Sequence, residues 1–153
     1  MRNNLKKEEF ILDGIDTKLI ELLYANARTP VSELARIVGM TAPSVNERLK
    51  RLEESGVISG YRVEVNPVVL GYSLMAIVRM RQLPGKLKAL EALISSIPEF
   101  VECDKVTGED CYVARLYLKD ISELDPILDR VSELADTNTA IVKSTPVTRR
   151  LLV

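Results

Sequence analysis

Arg48, Lys50 and Arg51 place three cations within four residues, behind the hydroxyl, amide and carboxylate groups of Thr41, Ser44, Asn46 and Glu47. Such a set suits the base edges and phosphates of DNA. Lysine and arginine can contact phosphate or guanine, and asparagine can pair with adenine. Covalent chemistry is poorly supplied by comparison. The 153 residues include no histidine, which excludes a Ser-His-Asp triad, a Cys-His nucleophile pair and every zinc site that needs imidazole. Two cysteines, Cys103 and Cys111, cannot form a four-thiolate site and read as buried free thiols of a reducing cytosol. No metal and no cofactor is expected.

The cations need a helix to present them. Laid out at about 100° per residue, Val45, Leu49 and Leu52 form one apolar stripe. Pro43, Glu47 and Lys50 lie opposite, flanked by Ser44, Asn46 and Arg51. Arg48 falls near the core edge, where it would brace the motif or touch a phosphate. Thr41 can cap this helix, Pro43 is tolerated in its first turn, and Ser44 with Glu47 offers a second cap. Before it, Thr29 and Pro30 signal another helix start, Leu34, Ala35 and Val38 share a face, and Gly39 can leave the helix with positive φ. Residues 13–27 repeat Ile15, Leu19, Leu22 and Leu23 at helical spacing and supply a third helix. The last helix alone could be an ordinary amphipathic one with a solvated face. The pairing of helices and the Ala35 to Gly39 spacing favour a helix-turn-helix that enters a major groove.

Charge makes that contact local. Net charge is −1, and residues 1–66 hold 10 Lys and Arg against 10 Asp and Glu. Attraction to a phosphate backbone must come from the cluster at Arg48, Lys50 and Arg51, helped by Arg2, Lys6 and Lys7, and should weaken with salt. No run is long or apolar enough to span a membrane, and the start lacks the apolar core of a signal peptide, so a cytoplasmic protein is expected.

The chain divides into a polar arm (residues 1–10), the helix-turn-helix (11–60), an extended linker (61–71) containing Asn66-Pro67 and Gly71, and a second domain (72–153). That second domain reads as strand 72–81, helix 86–97, strands 100–106 and 111–118, helix 122–136 and strand 139–148. The order βαββαβ is that of the ferredoxin-like fold, which makes the whole chain α+β. Pro146, inside the last strand, suits an edge position. In the first strand Tyr72, Leu74, Ala76, Val78 and Met80 take one face, yet Met75 and Ile77 make the other apolar too. A second copy of the sheet is the economical cover for it.

The blocks LDGIDTKLIELLYANAR, SELARIVGMTAPSVNERLKRLEESGVISGY and NPVVLG, in this order, resemble the Lrp/AsnC family of feast/famine regulators. The likeness spans nearly the whole chain. It implies a transcriptional regulator with a winged-helix-like DNA-binding domain, dimers built through the sheet domains, octamers of four dimers, and roughly palindromic sites on double-stranded DNA. DNA contacts then fall at Thr41, Pro43, Ser44, Asn46, Glu47, Lys50 and Arg51, with Arg48 beside them. Amino-acid-sensing members hold their ligand near a middle-strand loop that commonly reads Gly-x-x-Asp. Here the loop is Thr107, Gly108, Glu109, Asp110 and Cys111, with the aspartate one place early. The resemblance implies an amino-acid effector there, with Ser144 and Thr145 lining the same cleft. A plain hairpin turn also accounts for these residue types. Two alternatives stand beside this reading, a haem-precursor decarboxylase with the same two-domain layout and a low-specificity DNA-architectural protein.

Overall fold

The computed structural model describes residues 10–153; Arg2, Lys6, Lys7 and the rest of the expected arm up to residue 9 lie outside the described residues. Two compact units emerge. The first runs to Glu64 and takes in Arg149–Val153, and the second spans Val65–Thr148.

In the first unit, α1 (Gly14–Ala25) begins at a reciprocal capping box: Asp13 accepts from the Asp16 N–H, and Asp16 accepts from the Asp13 N–H. Helix α2 (Val31–Val38) ends at Gly39, whose φ of 70° is the left-handed conformation expected there. Its start differs from expectation. Pro30 is the N-cap and makes no side-chain cap, while the Thr29 hydroxyl donates back to the Asn26 carbonyl and closes the preceding turn. Helix α3 (Ala42–Glu54) opens at Thr41, whose hydroxyl accepts from the Ser44 N–H. Leu19, Leu34, Val45 and Leu52 are fully buried between the three helices. Truncating one such leucine to alanine typically costs about 2–5 kcal/mol, so this core fixes how α3 is held. Phe10 packs on the same cluster, so the described end of the arm is part of the domain. So is Leu151, and the Tyr24 hydroxyl donates to the Arg149 carbonyl at 2.7 Å.

Residues 57–65 form no strand here. Their β-branched side chains have no partner ladder within the chain, and Val63 and Val65 are exposed. The second unit is a four-stranded antiparallel sheet in the order β2-β3-β1-β4. It is built from β1 (Leu74–Gln82), α4 (Leu87–Ser96), β2 (Phe100–Lys105), β3 (Tyr112–Leu118), a 3-10 turn (Ile121–Glu123), α5 (Leu124–Asp129) and β4 (Ala135–Ile141). Ala76, Val78, Met80, Ala114, Leu116 and Leu118 face the helices and meet Leu90, Ile94 and Ile127.

The last helix and strand differ from expectation at their junction. Helix α5 is short because the chain turns after Asp129, with Leu134 N–H donating to the Val131 carbonyl. Val131 and Ala135, inside the expected helix 122–136, are buried, but from a turn and a strand. Strand β4 ends before Pro146. The edge position inferred from that proline belongs to the strand, while the proline itself lies past it.

Candidate nucleic-acid interface and effector loop

Helix α3 sorts as its periodicity required. Val45, Leu49 and Leu52 are buried, while Pro43, Asn46, Glu47, Lys50 and Arg51 are exposed and Ser44 is half-buried. Thr41 and Ser44 share a hydroxyl–hydroxyl hydrogen bond of 2.8 Å at the helix start. Lys50 lies 3.7 Å from Glu54 one turn on, with its side chain 73% exposed, a loose pair that a phosphate can displace. Met40, Glu47, Lys50 and Glu54 border a shallow concavity along this face.

The two arginines behave differently. Arg48 Nη1 donates to Asp13 Oδ2 at 2.6 Å and to Asp16 Oδ1 at 2.8 Å. Arg51 Nη2 donates to Asp16 Oδ2 at 2.8 Å, and its guanidinium lies 5.4 Å from the Phe10 ring centre. The expectation of a bracing role describes Arg48, which ties α3 to the start of α1. Arg51, expected to contact guanine or phosphate, is held on one side by Asp16. The Asp16 N–H, and after it the Arg48 guanidinium, hold the Asp13 carboxyl below its usual range. The bonds from Arg48 to Asp13 and then Asp16 raise the arginine in turn. Asp13 and Asp16 were missed in the sequence, although the acid-x-x-acid spacing ahead of an apolar run is a capping signal.

At one end of the sheet, residues 106–111 join β2 to β3, closed by the Val106 N–H on the Cys111 carbonyl at 2.8 Å. Gly108 adopts a φ of 116°, which favours glycine. Glu109 lies 3.7 Å from Arg81, and Arg81 reaches Asp136 at 3.3 Å. Thr107 is exposed, Asp110 is half-buried, and the Cys111 thiol faces the Met80 carbonyl at 3.8 Å. Arg81 and Asp136 meet only through the β1–β4 register, which left no local signal.

Ser144 and Thr145 fall elsewhere. Strand β4 begins opposite Gln82 and ends opposite Ala76, whereas the loop adjoins the Met80–Tyr112 end. Within one chain these residues lie at the opposite end of the sheet, roughly 20 Å of strand away. Within one chain they do not line a common cleft with the loop. The thiols also differ from expectation: both are free, but Cys103 is exposed on edge strand β2 and Cys111 is half-buried.

Residues 12–59 match the family model for winged helix-turn-helix DNA-binding domains. Residues 75–152 match the Lrp/AsnC ligand binding domain. The chain belongs to the Lrp/AsnC family. Among its Lrp/AsnC relatives, the HTH-type transcriptional regulator FL11 of Pyrococcus furiosus is 36% identical over 86% of this chain and 89% of its own. The solved structure of LrpC from B. subtilis superposes with a TM-score of 0.85, at 28% identity over 92% of this chain and 100% of that one. The feast or famine regulatory protein from M. tuberculosis, complexed with L-methionine, gives 0.83 at 32% identity over 92% and 98%. This Lrp/AsnC chain is therefore a DNA-binding transcriptional regulator with an N-terminal helix-turn-helix and a ferredoxin-like ligand-binding domain. The named relatives are regulators and not enzymes, which argues against the decarboxylase reading.

Proposed function

We propose that this regulator presents α3 in two-fold pairs to double-stranded DNA. Thr41, Pro43, Ser44, Asn46, Glu47 and Lys50 lie at base edges and phosphates, Arg51 at a phosphate, and Arg48 acts as a strut. The observation that carries this is the exposed polar face of α3, opened by the Thr41 cap and backed by the buried Val45, Leu49 and Leu52. Paired helices require a roughly palindromic operator, with half-sites spaced by whole helical turns. Such a protein acts in the cytoplasm, on the nucleoid.

Pairing is supported by apolar surface in the second unit. Met75, Ile77, Val113 and Tyr117 share the sheet face away from the helices and are half-buried. Val65, Val68, Val69 and Leu70 are exposed beside it in sequence. A partner sheet accounts for both, and dimers assemble further into octamers. The effector is an amino acid held at the Thr107 to Cys111 loop, its ammonium on Asp110 or Glu109 and its carboxylate on loop N–H groups. Support comes from the ligand-binding family domain and from the L-methionine bound to the M. tuberculosis relative. Ser144 and Thr145 of the same chain take no part.

Equilibrium binding to a duplex from upstream of its own gene tests the DNA reading, with affinity expected to fall steeply as salt rises. A thermal-shift screen of the twenty amino acids tests the effector. A ligand at 100 times its Kd adds about 2.7 kcal/mol of stability, and a flat screen contradicts an amino-acid effector.

A further inference from the structure

Asp16 is the one buried charged residue among those described, with no exposed surface. Its carboxylate receives Arg48 on Oδ1, Arg51 on Oδ2 and the Asp13 backbone N–H. Asp16 completes the α1 capping box and receives Arg48, yet stability alone does not explain its charge, since buried ion pairs are often matched or exceeded by apolar residues of similar volume. What the pair does supply is geometry. A guanidinium is a rigid fork with five N–H donors. Arg51 commits Nη2 to Asp16 and stacks on Phe10, while its side chain stays 52% exposed. The remaining donors are held at the edge of the α3 reading face.

We infer that Asp16 is a positioning residue for DNA binding: from beneath α3 it orients Arg51 so that the outward N–H groups meet a backbone phosphate. This rests on the reading of α3 as the DNA-contacting helix. It makes a prediction of opposite sign to simple charge counting. Removing a negative charge near the cationic face should tighten DNA binding if attraction were all that mattered. Loss of the anchor should weaken it.

The test is fluorescence anisotropy with the upstream duplex across a salt series, on the full chain. Asp16→Asn is expected to weaken binding about tenfold and to lower the salt slope by about one phosphate, as is Arg51→Gln. The double variant should bind much less weakly than the two separate losses would add up to, because the Asp16–Arg51 contact is lost in both single variants. Should Asp16→Asn fail to fold, Arg51→Lys decides the matter. Lysine keeps the charge but lacks the rigid fork that fixes Asp16 on one side and a phosphate on the other, so a loss approaching that of Arg51→Gln is expected. Parent-like binding by Arg51→Lys, or unchanged or tighter binding by folded Asp16→Asn, overturns the proposal. Lys50→Gln serves as control. If it weakens binding while Arg51→Gln does not, the positioning role falls and the helix assignment stands. If none of the variants changes affinity or slope, both fall.

Discussion

At the start of α1, Asp13 and Asp16 both close the helix and receive the arginines of α3. This has an acid signature. The folded-state pKa of Asp13 is depressed, so the stabilisation is fully present above the ordinary carboxylate range and is lost as pH falls through the lower folded value. Thermal melts of the parent from neutral pH to below about pH 4 should therefore show an acid limb that Asp13→Asn flattens. An identical limb in that variant would contradict the role given to Asp13. The residue types of the reading face were legible because each side chain's direction on α3 follows from helical period alone. The partners of Arg48 and Arg51 were not, because they lie 32 to 35 residues away and meet them only after the helices pack.

Elements with both a period and a stop signal could be read to within a residue or two. Helix α2 ends at Gly39 because the chain there must take a φ of 70°. A Cβ at Gly39 would meet nothing within 4 Å, so Gly39→Ala carries only the backbone penalty. That substitution should lower stability by about 1–2 kcal/mol, seen as a lower denaturation midpoint, and no change would contradict the turn's conformation as described. Where the stop signal was missing, the reading failed. The expected helix 122–136 ran past Asp129, but the β1 ladder claims Ala135 and Asp136 for β4. The valine-rich segment after Gly56 forms no strand, because strand formation needs a neighbour that one chain does not supply.

The whole molecule joins a DNA-binding unit of little net charge to a sheet with apolar groups on both faces. The two-domain order was legible from the switch between helical and strand periods. The position of Ser144 and Thr145 was not, since it depends on which strand β4 pairs with and how far. If the outer sheet face joins copies, Ile77→Lys should shift the protein toward monomer in light scattering after size-exclusion chromatography. Unchanged mass would place the interface elsewhere. The most direct test of the account as a whole is the affinity for the upstream duplex against a random duplex at one salt concentration, in the parent and in Lys50→Ala/Arg51→Ala. The parent should prefer its own duplex, and the double variant should lose binding with its oligomer intact. Equal affinity of parent and variant for the upstream duplex at matched salt would show that α3 is not the helix that reads DNA.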